Sequence, residues 1–312
     1  MSSAPSVNIL LSVYNGEKYL AAQLDSLFAQ TYRNITIYVR DDGSEDDSLS
    51  IVRRYMQKSL SEPGIRMILL ENEEKRNLGY MESFWTLLRE SGSADYYAFC
   101  DQDDYWLPEK VEKGVAALEK EDMRQPLLYS SSFYYCDAEM NFSGDPQKIK
   151  VPVQFKDVLF YTPAFGFTIT INHALRDLAL SASSLAGIPH DGWCQKIAAS
   201  MGRFIYDPER TAGYRRHSAT VTYAGAGTLK MIAKWIRNDI FGAGLSEQHF
   251  VLERFYEEYG DRLEKKEYAW LNLFRERPVT VKIYLKRLFF PERLRPSMGG
   301  EIALRGCFLA NR

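Results

Sequence analysis

The first 120 residues alternate four times between a short apolar segment and a longer segment with helical periodicity. VNILLSV, at residues 7–13, is largely apolar and rich in branched side chains, which is typical of a strand buried on both faces of a sheet. In the next segment Leu20, Leu24, Leu27 and Phe28 recur at helical spacing and form one apolar face. The alternation predicts an α/β fold, a Rossmann-like, doubly wound and mostly parallel sheet with helices on both faces.

Three further rounds of this alternation follow, and the pattern then changes. Beyond residue 125 the strand and helix signals are less regular, and from Thr228 onward the periodicity is helical. We therefore predict an α/β domain over residues 1–225 and a helical C-terminal extension over residues 226–312. The later predicted strands are 35–39, 65–70, 96–100, 127–137 and 165–172, and the later predicted helices are 46–58, 81–88, 108–118 and 174–186.

Composition and cysteine spacing exclude several classes of protein. Hydrophobic residues make up 46% and charged residues 26% of the chain, which argues against disordered and fibrous classes. A formal net charge of −2 argues against nucleic acid as a partner. The four cysteines lie far apart without metal-ligand spacing, so we expect reduced core thiols in a cytoplasmic protein. We expect neither a membrane span nor a cleaved signal, because no apolar run is long enough.

Polar and acidic residues follow the predicted strands where the strands end. The first strand continues into YNGE (residues 14–17), the second into DDGS (41–44), and the fourth into DQDD (101–104). The carboxyl ends of parallel strands meet at one edge of a sheet, and ligands bind there. Aspartates gathered at one edge repel one another, which favours a bound cation together with a ligand such as a diphosphate.

Each motif also has a structural interpretation. DDGS is a strong turn signal, because Asp and Gly favour tight turns and Ser or Asp can cap the next helix. DQDD precedes a predicted helix that its carboxylates could cap, and Asn77 is similarly placed before the helix that carries Met81. The structural interpretation weakens when both acidic motifs end buried strands of one sheet.

The order of the motifs resembles that of inverting glycosyltransferases of family 2, which adopt the GT-A fold. The matching segments are VNILLSVYNGEKYL, RDDGSEDDS, RNLGY, FCDQDDYWLPEKV, GFTITIN, HDGW and YRRH, the last of which ends at residue 217. Within the family the chain is most similar to bacterial rhamnosyltransferases of cell-wall or capsular polysaccharide synthesis. The resemblance implies transfer of L-rhamnose from dTDP-L-rhamnose to a surface glycan or a lipid-linked glycan.

The resemblance assigns the ends of the first, second and fourth strands to the nucleotide. A carboxylate suits uracil or thymine, because the N3–H of these bases is a donor, whereas cytosine presents an acceptor there. We therefore expect a dTDP-linked or UDP-linked sugar as donor substrate. The residues that the resemblance places at the nucleotide are Tyr14, Asn15, Asp41, Asp42, Asn77, Gly79, Asp101 and Gln102.

The resemblance also implies a divalent cation, a base and contacts to the sugars. Asp103, in a DxD motif, would hold Mg²⁺ or Mn²⁺, which prefer oxygen ligands, and His217 is a further metal ligand or an ordinary surface or core histidine. Asp191 is either the base that takes the acceptor's hydroxyl proton, the cap of the next helix, or both. The residues assigned to the sugar or the acceptor are Asp104, Trp106, Gly166, Phe167, His190, Trp193 and Arg215.

The C-terminal segment is basic and amphipathic. Residues 275–312 contain nine basic and three acidic side chains, a net charge of +6. A helical apolar stripe from Val281 to Phe289 would have Lys286 and Arg287 on its opposite side. Such a segment fits peripheral contact with the inner face of the cell membrane, and it equally fits a packed tail or a homodimer contact.

Two other functions compete with rhamnosyl transfer. The first is the same chemistry with a UDP-hexose donor. The second is a non-catalytic module that binds nucleotide or glycan within a polysaccharide synthesis complex. Slow hydrolysis of a nucleotide sugar that depends on Mn²⁺ and on Asp103 would separate an enzyme from such a module.

Overall fold

The chain folds into two compact units. The computed structural model describes residues 4–72, 76–146, 148–216, 244–275 and 280–309. The second unit contains the C-terminal helices together with residues 153–163 and 199–201, and the first contains the remaining described residues. The segment 153–163 therefore packs with helices that lie far from it in the sequence.

The first unit is built on a sheet of nine strands. They are β1 (Val7–Val13), β2 (Ile35–Asp41), β3 (Ile65–Leu69), β4 (Tyr96–Cys100), β5 (Tyr105–Trp106), β6 (Leu127–Cys136), β7 (Phe142–Gly144), β8 (Ile169–Asn172) and β9 (Arg203–Arg215). The strand order is β3-β2-β1-β4-β8-β6-β9-β5, with β7 beside β6. The first four strands are parallel neighbours, and β6 is parallel to β9. The predicted α/β class with a mostly parallel sheet is confirmed.

Burial explains why these segments form strands. Every residue of β4 is buried, and β1 has six buried residues and one intermediate residue, as expected for strands covered on both faces. β8 is shorter than the predicted strand 165–172, because Gly166–Thr168 forms a turn of 3₁₀-helix before it. The antiparallel pairing of β8 with β4 and β6 joins the first four strands to the rest of the sheet.

Six helices of the sequence between residues 17 and 201 accompany the sheet. They are α1 (Glu17–Phe28), α2 (Ser48–Ser59), α3 (Gly79–Glu90), α4 (Lys110–Leu118), α5 (His173–Leu180) and α6 (His190–Met201). The helix predicted over 174–186 ends early, because it runs into serines, whose hydroxyls compete for backbone groups: the hydroxyl of Ser181 donates to the carbonyl of Leu178. Asp46 accepts the N–H of Ser48 at 3.0 Å, one residue before the position that caps α2.

The second unit has four described helices and an aromatic core. They are α7 (Gly244–Tyr259), α8 (Lys265–Arg275), α9 (Val281–Leu288) and α10 (Met298–Leu309). The ring of Phe160 lies 5.2 Å from that of Phe274 and 5.5 Å from that of Phe308, so the segment 153–163 is tied to this core. The helical face predicted from Thr228 to Ile240 lies outside the described residues, as does His217.

The structure shows the surroundings of the cysteines and the length of the described helices. All four cysteines are buried and none forms a disulfide, as predicted for core thiols. In the parts of the chain that the structure describes, every helix is too short or too polar to cross a bilayer.

Candidate functional site

The loops after β1 and β4 are joined at the carboxyl edge of the sheet. The backbone N–H of Tyr14 donates to Oε1 of Gln102 at 2.8 Å, and Nε2 of Gln102 donates to the carbonyl of Tyr14 at 2.9 Å. A Cβ on Gly16 would lie 2.4 Å from the same Oε1, so the glycine leaves room for the glutamine. Two of the three predicted loops therefore lie side by side.

The loop after β2 completes this edge. The N–H of Asn15 donates to Oγ of Ser44 at 3.0 Å, and the N–H of Glu45 donates back to Oδ1 of Asn15 at 2.9 Å. Asn15 has a φ of 47°, a left-handed conformation that asparagine tolerates better than most residues. The three strand ends that the sequence singled out thus form one surface.

Asp42 is buried and all of its hydrogen-bonding partners belong to the protein. Its oxygens accept the N–H groups of Leu78 and Gly79, both at 2.8 Å. The guanidinium of Arg40, itself 4% exposed, donates to the same carboxylate. This carboxylate therefore holds the start of α3 against β2.

Asp41, the neighbouring acid, is held differently. Its Oδ2 accepts the N–H of Ser44 at 3.1 Å, within the tight turn that the sequence predicted. Its Oδ1 is buried and has no hydrogen-bond partner among the described residues. A buried carboxylate oxygen without a donor is costly, which favours an N–H group of a ligand at this position.

Asn77 and Gly79 lie at the exposed start of α3. Oδ1 of Asn77 accepts the N–H of Gly79 at 3.0 Å, so the capping interpretation of Asn77 describes its local contact. Gly79 has a φ of 77°, and a Cβ there would meet no atom within 4 Å. Backbone conformation, not crowding, therefore requires the glycine.

Asp101, directly after β4, is affected by the charges of two other carboxylates. Burial first, and then the charges of Asp103 and Asp191, raise the pKa of Asp101 to about 7. Asp103 and Asp191 are separated by 88 positions in the sequence, and the fold brings both within electrostatic range of Asp101. The arrangement concentrates negative charge where a cation or a hydrogen-bond donor would relieve it.

Asp104, expected to contact the sugar or the acceptor, lies inside the protein. It is fully buried, and its Oδ1 accepts the backbone N–H of Arg215 at 3.1 Å. Burial and the charges of Asp101 and Asp103 raise its pKa well above the usual range. Asp104 thus joins the DQDD loop to β9.

Arg215, also assigned to the acceptor, is buried as well. Its Nε donates to the carbonyl of Asp103 at 2.9 Å, another of its nitrogens donates to the carbonyl of Ala138, and its guanidinium lies 4.5 Å from the ring centroid of Tyr19. These contacts fix the backbone of the DxD motif, so Arg215 acts by positioning that loop.

Asp191 lies in the first turn of α6. Its Oδ1 accepts the N–H of Gly192 at 2.7 Å, and the helix dipole favours a negative charge at this end. A Cβ on Gly166 would lie 2.9 Å from Nε2 of His190 and 3.9 Å from Cβ of Asp191. The glycine therefore allows the segment before β8 to approach the candidate base closely.

The predicted aromatic contacts to the sugars form the core beneath the site instead. Trp106, Phe167 and Trp193 are each at most 1% exposed. The ring of Phe167 stacks on that of Tyr214 at 5.4 Å. Their size and burial make them packing residues, which the sequence alone did not distinguish from an exposed sugar platform.

His190 is enclosed by aromatic rings. Its ring centroid lies 4.2 Å from that of Phe84 and 4.5 Å from that of Phe99. Burial lowers its pKa to about 4, so the imidazole is neutral at pH 7. His190 therefore supports the turn that carries Asp191 and is not exposed to a substrate.

Three buried cations near the site were missed by the sequence analysis. Arg40 pairs with Asp42, Nζ of Lys110 lies 4.9 Å from the ring centroid of Trp106, and Lys196 interacts with the charge of Asp191. Burial lowers the pKa of Lys110 to about 7 and that of Lys196 to about 8. The signal for Arg40 is its place within an otherwise buried strand, since a charge there needs a partner.

Comparison with known proteins adds a family and relatives. Residues 8–167 match the model of a family described as glycosyl transferase family 2. An uncharacterized glycosyltransferase of Haemophilus influenzae is 34% identical over 226 residues, which cover 70% of this chain and 67% of that protein. Another, from Rickettsia typhi, is 27% identical over 73% of this chain and 69% of its own length.

A third relative has a named activity. The Escherichia coli protein WfaP, a UDP-Glc:alpha-D-GlcNAc-diphosphoundecaprenol beta-1,3-glucosyltransferase, is 27% identical over 44% of this chain and 49% of its own length. The match therefore covers less than half of either protein.

Solved structures share the fold. The portion of Staphylococcus aureus TarS crystallised with UDP-GlcNAc aligns with a TM-score of 0.57 and 17% identity, over 98% of this chain and 89% of that one. A Pyrobaculum calidifontis mannosyltransferase in complex with GDP-Man and Mn²⁺ aligns with a TM-score of 0.50 and 16% identity, over 93% and 89% of the two chains. The α/β sheet with its helical C-terminal part thus matches GT-A structures.

Proposed function

Because this chain belongs to glycosyl transferase family 2, we propose that it is a cation-dependent, inverting glycosyltransferase whose donor is a pyrimidine nucleotide sugar. The observation that carries the proposal is the joining of the loops after β1, β2 and β4 at the carboxyl edge of the sheet, where the charges of Asp103 and Asp191 act on Asp101. Inverting transfer needs a positively charged environment for the leaving diphosphate and a base for the acceptor, and this edge offers ligands for the first and a carboxylate for the second.

The pyrimidine preference rests on Asp41. Its buried Oδ1 has no donor among the described residues, while Oδ2 is held by Ser44. Uracil and thymine carry an N3–H that would donate to Oδ1, whereas cytosine would present an acceptor to an acceptor. Tyr14, which is 46% exposed, and Asn15 would then border the nucleoside from the β1 loop.

A divalent cation fits the donor set around Asp103. The groups at this edge are carboxylate oxygens, which Mg²⁺ and Mn²⁺ prefer, and a cation would relieve the repulsion of Asp101 by Asp103 and Asp191. Within the described residues no three His, Cys, Asp or Glu side chains are close enough to hold a metal by themselves. We therefore infer that Asp103 would share the ion with oxygens of the donor's diphosphate. When bound, the ion neutralises charge on the leaving group.

The protein's own contribution to bond making is assigned to Asp191. Gly192 engages Oδ1, so Oδ2 is the oxygen that would take the proton of the acceptor hydroxyl. The acceptor oxygen then bonds to the anomeric carbon, the bond from that carbon to the diphosphate oxygen breaks, and its electron pair stays on the diphosphate. Attack from the face opposite the leaving group inverts the configuration.

The finer choice of sugar has two candidates. The DQDD-W-LPEK run favours L-rhamnose from dTDP-L-rhamnose, with a bacterial surface glycan or lipid-linked glycan as acceptor. The relative WfaP, named for UDP-Glc, and the TarS complex with UDP-GlcNAc favour a UDP-hexose. Both candidates use the same base-recognition carboxylate, so the nucleotide does not separate them and the sugar must be tested directly.

A donor panel tests the proposal. We expect UDP or dTDP with Mn²⁺ to raise the melting temperature by several degrees, because a ligand at 100 times its Kd adds about 2.7 kcal/mol of stability. We expect slow Mn²⁺-dependent hydrolysis of one donor among dTDP-rhamnose, UDP-glucose, UDP-GlcNAc and GDP-mannose, abolished by chelator and by Asp103→Ala but not by Asp25→Ala, a change at an exposed position. Nucleotide binding without turnover or transfer of any donor would instead favour the non-catalytic module.

A further inference from the structure

The face of α9 that points to solvent is apolar and basic at once. Val281, Leu285 and Phe289 are exposed by 76%, 46% and 72%, and they lie one helical turn apart. Lys282 and Lys286 follow two of them by one position and are also exposed. We call these five residues the α9 ridge.

The geometry corrects the sequence-based picture of this helix. Arg287, expected on the polar side, is 3% exposed, and its Nε donates to the carbonyl of Leu273 at 2.7 Å. Arg287 therefore fastens α9 to α8, and the cations that reach solvent are the two lysines of the ridge. Charge and apolar surface thus lie on the same face rather than on opposite faces.

The neighbouring helix, α10, also exposes apolar side chains. Met298, Ile302 and Leu309 of α10 are exposed by 57%, 66% and 56%. Half of the large exposed hydrophobic side chains in the described residues fall between 281 and 309. Beside the α9 ridge, a surface pocket of about 500 Å³ is lined by Leu285, Phe289 and Phe290, with Lys282 and Lys286 among its other lining residues.

Each of the two acidic residues between 281 and 309 pairs with a basic side chain, so the remaining charge of this stretch is positive. Glu301 is 7% exposed and pairs with Arg305 at 2.6 Å, and Glu292 lies 3.4 Å from Lys156. Arg293 adds a further exposed cation. An apolar surface with an excess of cations is complementary to a layer whose interior is apolar and whose outer groups are anionic.

We propose that the α9 ridge and the exposed face of α10 dock on the surface of an anionic phospholipid bilayer. The apolar side chains would enter the region between headgroups and acyl chains, and the lysine stems would lie along them while the ammonium groups reach the phosphates. A second copy of the chain fits less well, because a two-fold contact would bring the same lysines together while the segment's carboxylates are already paired.

Vesicle sedimentation tests this surface. The full chain is mixed with vesicles of phosphatidylcholine alone or with 30% phosphatidylglycerol, at low and at high NaCl. We expect binding to the anionic vesicles, weakened by salt, and little binding to the neutral ones. Lys282→Gln with Lys286→Gln should lower the partition coefficient about 30-fold, since each cation near such a surface contributes about fivefold. Leu285→Ser with Phe289→Ser should lower it at least tenfold.

Matched controls come from exposed residues elsewhere. Lys148→Gln with Lys150→Gln removes the same charge, and Leu60→Ser with Phe142→Ser removes side chains that are 80% and 62% exposed. Both should leave vesicle binding within about twofold of the unchanged chain and keep the same melting temperature. Equal losses in ridge and control variants, or no binding to anionic vesicles, would overturn the proposal.

Sedimentation equilibrium separates membrane docking from self-association. We expect the same mass for the unchanged chain and for Leu285→Ser with Phe289→Ser. A dimer that this pair of substitutions dissociates would show that a second copy covers the ridge, and the proposal would then be wrong. Donor hydrolysis in solution serves as the separate readout of the transferase, so neither result depends on the other.

Discussion

Two acidic motifs, DDGS after β2 and DQDD after β4, lie at the same edge of the sheet, yet their carboxylates are in opposite electrostatic situations. Asp42 of DDGS accepts two backbone N–H groups and pairs with the guanidinium of Arg40. Asp101 of DQDD faces other carboxylates, and the pKa of its side chain is raised to about 7. The fold supplies Asp42 with hydrogen-bond donors and a cation, whereas it places Asp101 among like charges.

The difference separates acids that stabilise the protein's own structure from acids that a ligand would stabilise. A carboxylate that the protein satisfies stabilises the native state, and its removal leaves a buried partner without its charge. A carboxylate held among like charges destabilises the native state until a cation or donor arrives. Removal of a carboxylate should therefore lower the stability of the protein at DDGS and raise it at DQDD.

The largest effect is expected at the candidate base. Asp191→Asn should lower sugar transfer by about 10³-fold, because the amide cannot take the acceptor's proton, while UDP affinity should change less than threefold. Transfer rates and calorimetric titration with UDP and Mn²⁺ measure the two quantities. Asp25→Asn serves as the control, and near-normal turnover in Asp191→Asn would remove Asp191 from the mechanism.

At the satisfied carboxylate we expect a loss of stability. Asp42→Ala should lower the free energy of unfolding by about 4 kcal/mol, because the charge of Arg40 stays buried without its partner. Denaturant titration measures this change. Arg40→Met combined with Asp42→Ala should cost less than Asp42→Ala alone. If the double variant is less stable than the single one, Arg40 and Asp42 act independently and the comparison fails.

At Asp101 we expect removal of the carboxylate to increase the stability of the protein by an amount that depends on pH. The pKa of Asp101 is about 7 in the folded protein, whereas the ordinary value of an aspartate is 3.8. The charged carboxylate therefore costs stability that builds up from about pH 4 to pH 7 and is absent below about pH 4. Without metal, Asp101→Asn should be more stable than the unchanged chain by about 4 kcal/mol at pH 8, and nearly equal to it at pH 4.

Thermal unfolding in chelator across pH 4–8 measures this difference, with Asp25→Asn as a control that should stay within about 0.5 kcal/mol. Mn²⁺ with UDP should reduce the advantage of Asp101→Asn. A difference that does not vary with pH would contradict the electrostatic account of this loop.

The smallest expected effect concerns base recognition by Asp41. In Asp41→Asn the oxygen stays on the N–H of Ser44, so the amide NH₂ replaces the unpartnered Oδ1 and presents a donor. UDP affinity should fall about tenfold while CDP affinity rises, because cytosine presents an acceptor there. Competition binding with the two nucleotides measures the change, and equal losses for both would place the pyrimidine elsewhere.

How far the sequence could predict this protein depends on how local the relevant physics is. Strands β1 and β4 follow from their apolar runs at the predicted bounds, and α1 follows from its apolar face, since periodicity reflects burial of one element at a time. The early end of α5 was missed because its tail still contains apolar positions between the serines.

The candidate site was predictable to the level of loops. The meeting of YNGE, DDGS and DQDD follows from parallel strand order, which the alternation of elements already implied. The roles within each loop were not predictable: Asp104 and Arg215 bond to each other's segment inside the protein, and Trp106 and Trp193 fill the core. Exposure depends on segments distant in sequence, so motif spacing could not separate a sugar contact from a packing residue.

The sequence by itself determined the fold class, the edge at which the site lies and the cluster of acids there, because strand order and residue type suffice for these. Only the tertiary structure decided which acids accept hydrogen bonds from the protein and which lie among like charges. The donors to Asp42 and the charge of Asp191, which acts on Asp101, belong to other parts of the fold. Hydrogen bonds and electrostatic interactions depend on which groups are close in space, and a sequence pattern does not contain that information.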